Sequence, residues 1–185
     1  FGYKEFREGQ KEVIASLEKG MDAIAILPTG NGKSFIYQYI GLKEKCRVVI
    51  VSPLIALMVD QVASLKQLGI HRAVAITSLM TESEKNYILR TLNEYQFIFV
   101  SPEMLQTPRF FKQLERLDIG LLVVDEAHCI SQWGYDFRSD YLFIGKMRKS
   151  LENPRTLALT ATATTQVIQD IYTFLGLNKE QTAYF

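Results

Sequence analysis

Two short stretches of this 185-residue chain carry side chains that could do chemistry together. The first is Leu27-Pro28-Thr29-Gly30-Asn31-Gly32-Lys33-Ser34. Gly30 and Gly32 let the backbone turn tightly and bring N–H groups up to an anion. The helical pattern that follows adds the positive end of its dipole at the same point. Lys33 can then reach terminal phosphates as a point charge, and the Ser34 hydroxyl can ligate Mg2+. The strict form of such a loop has a glycine at position 27, where this chain has Leu27. The second stretch is Asp125-Glu126-Ala127-His128. Asp125 is suited to hold Mg2+, directly or through water. Glu126 is suited to polarise an attacking water as a general base. His128 is expected to make a hydrogen bond within this site or towards the next strand. Each stretch alone has a bland reading: a glycine turn beside a surface lysine, or an acidic helix cap. Together they describe a site for a magnesium triphosphate.

That site requires elements that bring positions 27–34 and 125–128 to one place. Apolar runs at Ala23–Leu27, Val48–Val51, Ala73–Ile76, Phe97–Val100, Leu121–Val124 and Leu157–Leu159 alternate with helical patterns. Several are apolar at consecutive positions, which is how strands buried on both faces read. The alternation predicts a mostly parallel sheet flanked by helices, an α/β fold. Ligands of such sheets gather at the carboxyl ends of the strands, where both stretches begin. The helices carry their own signals. Ser52-Pro53 reads as an N-cap and a first-turn proline ahead of a stripe of Leu54, Leu57, Met58, Val62, Leu65 and Leu68, closed by Gly69. Thr81 with Glu84 reads as a capping box, and Thr107-Pro108 as a helix start. Val167, Ile168, Ile171 and Leu175 form a last stripe that Gly176 ends.

Bulk properties narrow the rest. Lys and Arg total 21 against 20 Asp and Glu, so any contact with a polyanion is local rather than a whole-surface field. No apolar run is long enough for a membrane span, and no secretory signal is visible. Cys46 and Cys129 have no CxxC partner, so neither a zinc site nor a disulfide is expected, and an intracellular setting is. One compact domain is the simplest organisation, and no internal repeat is found.

Further motifs complete the pattern. Phe1-Gly2-Tyr3 is followed by Phe6-Arg7-x-Gly9-Gln10; after the runs come Ser52-Pro53-Leu54-Ile55-Ala56-Leu57-Met58-x-Asp60-Gln61, Ser101-Pro102-Glu103 and Thr160-Ala161-Thr162-Ala163. Cys129-Ile130-Ser131-Gln132-Trp133-Gly134-Tyr135-Asp136-Phe137-Arg138 holds the only tryptophan. With these, the chain resembles the RecQ family of DNA helicases over essentially its whole length. Leu27 fits, since superfamily-2 helicases commonly vary that position around a Pro-Thr-Gly core. Ser139 stands where family members often have proline.

The resemblance implies a RecA-like three-layer domain, the first of two motor lobes, using ATP and Mg2+ in 3′→5′ unwinding of DNA. It implies that Tyr3 and Arg7 sandwich the adenine and Gln10 reads its edge; a primary amide has the donor and acceptor that N6 and N7 complement. It assigns Ser52, Gln61 and Ser101 to loops that grip DNA, and Thr160 and Thr162 to linking nucleotide state with DNA state. Gln132, Trp133, Phe137 and Arg138 are implied contacts to single-stranded DNA, with aromatics stacking on bases and Arg138 meeting a phosphate. The competing reading of the aromatics is plain core packing. The expected partners are single-stranded or duplex DNA and a second helicase lobe, with the family's zinc-binding and winged-helix regions outside this chain. Alternatives are another superfamily-2 motor, an RNA helicase or duplex translocase, with this chain alone acting only as a nucleotide-binding module.

Overall fold

The computed structural model describes residues 5–28 and 32–185. Seven strands form one sheet: β1 (Asp22–Ile26), β2 (Val48–Val51), β3 (Ala73–Ile76), β4 (Phe97–Val100), β5 (Leu121–Val124), β6 (Thr156–Thr160) and β7 (Thr182–Tyr184). Their order is β3-β4-β2-β5-β6-β1-β7 and every pairing is parallel. The six expected strands are all present; β1 is shifted by one residue and β6 is longer by one residue at each end. β7 adds a seventh at the edge beside β1. It is three residues long and lacks the apolar run that marks the others, because an edge strand buries less surface.

The strands are buried on both faces, and alternate side chains feed two cores. Ala23, Ala25, Val48, Ile50, Phe97, Phe99, Leu121, Val123, Leu157 and Leu159 point to one core. The helices α1 (Gln10–Glu18), α2 (Lys33–Glu44) and α3 (Ile55–Gln67) cover it with Val13, Leu17, Ile36, Ile40, Met58 and Leu65. Ile24, Val49, Val51, Ile98, Val100, Leu122, Val124 and Ala158 point to the other. There α4 (Glu82–Arg90), α5 (Pro108–Leu114), α6 (Leu142–Ser150) and α7 (Thr165–Leu175) supply Leu89, Phe110, Ile144, Met147, Val167, Ile171 and Leu175. This is the expected three-layer α/β architecture.

Local punctuation mostly follows the sequence. The Thr81–Glu84 capping box forms with both hydrogen bonds, Pro108 takes the first turn of α5, and Gly176 caps α7 in the left-handed region at φ 70°. The start of α3 differs. Leu54, not Ser52, is its N-cap, and the Ser52 hydroxyl instead accepts the Leu54 N–H at 3.3 Å. The residue before a proline is pushed out of helical space, so Ser52-Pro53 completes a turn before the helix begins. The apolar stripe of α3 is also only partly covered: Met58 and Leu65 are buried, while Leu57 is 52% exposed at the rim of a cleft.

Candidate active site

Because all strands run in parallel, their carboxyl ends share one edge. β1 delivers Leu27 there, β2 Ser52, β4 Ser101, β5 Asp125 and β6 Thr160. β1 and β5 are separated only by β6, which leaves about 10 Å between their tips at ordinary strand spacing. Leu27 is buried and donates its N–H to Thr160 O at 3.0 Å. Its side chain packs against Gly9, which turns into α1 at φ 86° and has no room for a Cβ beside Leu27. Leucine at this position is therefore a packing residue that anchors the loop to the first helix.

Gly32 has φ 67° and leads directly into α2, which starts at Lys33. Lys33 and Ser34 meet Asp125 and Glu126 in one cleft of about 360 Å³, also lined by Arg7, Gly32, Tyr37, Ser52, Leu57, Met58 and Gln61. Thr29, Gly30 and Asn31, like Tyr3, lie outside the described residues, and Pro28 is exposed at the end of β1. Asp125 Oδ1 accepts the Glu126 N–H at 2.9 Å, and the Asp125 carbonyl accepts the Tyr141 hydroxyl at 2.7 Å. Burial pushes the Asp125 carboxyl above the usual carboxylate range, Glu126 adds to that, and the Lys33 ammonium opposes it. Such a carboxylate gains from a cation brought beside it. Ser34 and Asp125 are hard oxygen donors on one cleft, the ligand chemistry that suits Mg2+.

Glu126 sits in the left-handed region at φ 50°, ψ 46°. A non-glycine residue there carries about 1–3 kcal/mol of strain, which the surrounding structure must hold. His128 is part of that hold. Its Nδ1 lies 2.7 Å from Thr160 Oγ1 and 3.6 Å from Glu126 Oε2. Both expected directions for His128, within the site and to the next strand, are occupied. Thr160 thus meets the box through its histidine, while its own hydroxyl donates to Thr162 O at 3.2 Å. Burial lowers the His128 pKa, and Glu126 and Asp136 pull against that.

A second hollow of about 330 Å³ adjoins the first and shares Arg7, Gly32, Ser34 and Gln61 with it. Gln10 lines it, and its amide donates to Gly32 O at 3.0 Å while accepting the Arg7 N–H at 2.7 Å. Gln10 therefore ties the loop's end to the segment before α1. Gln38 donates to Gln61 at 2.9 Å and so joins α2 to α3 across this hollow. Sequence reasoning missed Tyr37 and Gln38. The signal was available, since they stand four residues after Lys33 and Ser34 on the same helix face.

The residues assigned to DNA contact divide into two groups. Ser52 and Gln61 line the same cleft as Lys33 and Asp125. Ser101 is 1% exposed and its hydroxyl has no hydrogen-bond partner among the described residues, so it sits beneath the surface rather than on it. Thr160 is buried as well, and Thr162 is exposed. By contrast, Gln132, Trp133 and Arg138 are on the surface, and Phe137 is half-buried. Trp133 and Tyr135 are each 74% exposed, which rules out core packing for Trp133. Tyr135 stacks on the His128 ring at 4.5 Å, and Arg138 pairs with Asp136 at 3.3 Å. The Cys129 thiol, pushed up to about 12 by burial and then by Asp136, lies 3.7 Å from His128 Nε2 and 3.9 Å from Asp136. These three could surround a cation, a grouping that cysteine spacing alone did not reveal. A metal there would have to displace a tightly held thiol proton.

The profile of the DEAD/DEAH box helicases matches residues 7–171. The chain belongs to the DEAD/DEAH box helicase family. It is 48% identical over 177 residues to the "Probable ATP-dependent DNA helicase RecS" of Bacillus subtilis, covering 96% of this chain and 36% of that protein. It is 42% identical over 188 residues to the ATP-dependent DNA helicase RecQ of the same organism, covering 100% of this chain and 32% of that one. The chain thus spans about a third of the length of these curated relatives. The Hef helicase domain of Pyrococcus furiosus has the same fold, with a TM-score of 0.75 at 24% identity over 97% of this chain and 38% of that one. Among the described residues, no helix is long and apolar enough to cross a membrane.

Proposed function

We propose that this chain is the nucleotide-binding first lobe of a RecQ-type, ATP-driven DNA helicase that moves 3′→5′ on single-stranded DNA. One observation carries the reading: Lys33 and Ser34 share a cleft with Asp125 and Glu126, at the sheet edge where the aromatic loop also begins. In this reading Lys33 binds the terminal phosphates, and Ser34 with Asp125 would hold Mg2+, which would supply charge neutralisation at the phosphate oxygens. Glu126 accepts a proton from the attacking water while His128 keeps its carboxylate aligned. Arg7 and Gln10, with Tyr3, bind the base in the adjoining hollow. Gln132, Trp133, Phe137 and Arg138 engage the DNA strand, and a second lobe closes over the nucleotide. His128 lies 3.6 Å from Glu126 on one side and stacks on Tyr135 on the other, which in this reading lets the aromatic loop act on the general base.

The test is ATP hydrolysis by the complete protein with single-stranded DNA, RNA or neither. DNA should stimulate turnover and RNA should not; preferential stimulation by RNA would move the assignment to an RNA helicase. Lys33→Ala should lower turnover at least ~100-fold, the scale of removing a preorganised charge from a phosphoryl-transfer site. Trp133→Ala should leave basal turnover and abolish the DNA response. Unchanged turnover in the first variant, or an unchanged response in the second, removes the corresponding role.

A further inference from the structure

The loop that presents Trp133 leaves the protein interior at Ser131, which is completely buried. Hydrogen bonds, rather than apolar packing of the tryptophan, set the direction in which it leaves. The Trp133 N–H donates to Ser131 Oγ at 3.1 Å. The Ser131 hydroxyl donates its own proton to Asp170 Oδ2 at 2.6 Å. The other carboxylate oxygen, Oδ1, accepts the Gln166 amide at 3.1 Å, one turn earlier on α7. A hydroxyl has a single proton. With that proton committed to Asp170, the Ser131 oxygen presents only lone pairs, and the Trp133 N–H finds an acceptor in a fixed place. An O–H···O− bond of this length belongs to the strong, charge-assisted class. The loop is closed further along by Gly134 N–H to Ser131 O at 3.1 Å and Arg138 N–H to Cys129 O at 2.9 Å. Asp170 lies outside the nucleotide cleft. Its helix begins five residues after Thr160, the residue that bonds His128.

We propose that Asp170 is a positioning residue for DNA engagement: through Ser131 it fixes the direction in which Trp133 meets the strand. The proposal rests on the reading of this loop as a single-strand contact. Without the carboxylate, the Ser131 hydroxyl can turn its proton towards Trp133, and the loop base loses its anchor to α7. Asparagine at 170 keeps an acceptor oxygen and so keeps the Ser131 bond.

The test compares Asp170→Ala, Asp170→Asn and Trp133→Ala. Trp133 is the only tryptophan of this chain, and in the complete protein its signal is isolated by subtracting that of the matching protein with Trp133→Ala, so its fluorescence reports the loop directly, before any DNA is added. Asp170→Ala should lower Trp133 anisotropy and increase its quenching by acrylamide, while the complete protein stays folded with a melting temperature only a few degrees lower and keeps its basal ATPase. The oligo-dT concentration for half-maximal ATPase stimulation should rise ~10-fold, the effect of losing one hydrogen bond to a charged group. Asp170→Asn should stay near the unsubstituted protein in both readouts. Unchanged anisotropy and DNA half-saturation in Asp170→Ala, beside a Trp133→Ala variant that has lost its DNA response, overturns the positioning role alone. An intact DNA response in Trp133→Ala overturns the DNA reading of the loop and the proposal with it. An Asp170→Asn variant as impaired as Asp170→Ala also overturns it, since the retained oxygen should suffice.

Discussion

Asp125, in the role proposed for it, is a residue whose fitness for function costs stability. Its carboxyl is pushed up by burial and by Glu126, so ionising it in the folded protein is unfavourable until a cation arrives. Asp125→Asn removes that cost. In nucleotide-free buffer with EDTA at pH 7, this variant is expected to melt about 1–3 °C higher than the unsubstituted protein, while losing Mg2+-dependent nucleotide binding. A lower melting temperature would show that the charge is stabilising as it stands. His128 gives a second test at this scale. Burial lowers its pKa below the ordinary 6.5, so the folded state prefers the neutral ring. Below pH 6.5 the unfolded chain takes up the proton first, and the stability contributed by the neutral ring is lost as pH falls through the folded value. Melting temperatures recorded from pH 7.5 to 5 should fall more steeply for the unsubstituted protein than for His128→Gln. Parallel curves would place the acid sensitivity elsewhere.

At the scale of elements, the site depends on helices that approach one another closely. α6 passes α7 at Gly145, where an added Cβ would run into the Phe174 carbonyl. In an ordinary helix, alanine in place of glycine stabilises by about 1 kcal/mol. Here the collision should reverse the sign, and Gly145→Ala is expected to lose about 1–3 kcal/mol in urea unfolding. A gain would mean that the two helices separate easily. In the proposed function the contact matters because α7 carries Asp170 and α6 follows Tyr141, whose hydroxyl holds the Asp125 carbonyl. α3 shows the same dependence from the other side. Its stripe is only partly covered because Leu57 faces the cleft, so an amphipathic pattern that reads as core packing also builds the rim of the site.

For the whole molecule, the end of the sheet opposite the cleft is fastened by charge. Arg148 of α6 donates to Asp22 of β1 at 2.9 Å, to Thr156 of β6 at 2.8 Å and to Gly176 O at the end of α7 at 3.0 Å. Asp22 also accepts the Thr156 N–H at 2.7 Å. Burial still pushes the Asp22 carboxyl up against the pull of these partners, so the pair is an expensive one. Arg148→Met leaves that carboxylate uncompensated and should cost about 3–5 kcal/mol. Adding Asp22→Asn should recover part of the loss in the same urea titration; a double variant no better than the single one would assign the cost to lost packing. Because the lock lies at the far end of the sheet, nucleotide affinity of the folded fraction should be unchanged.

Much of this was legible along the chain. Runs of consecutive apolar residues are unavoidable in strands buried on both faces, so six strands and the parallel α/β class followed from local pattern alone. Gly32-Lys33-Ser34 and Asp125-Glu126 stood out as candidates because a phosphate and magnesium site would need those side chains at strand ends, and they do line one cleft. β7, the true cap of α3 and the His128–Cys129–Asp136 grouping were not, because each is decided by neighbours distant in sequence. Strand order is decided the same way. It sets β1 and β5 two positions apart and brings lysine and carboxylates to one cleft. Trp133 makes the division plain. Its type and its setting in an aperiodic, aromatic stretch suggested a surface role, but an aromatic ring satisfies a core equally well. Only the folded chain exposes it, by committing the hydrogen bonds of buried Ser131 and half-buried Asp170 to the loop's base.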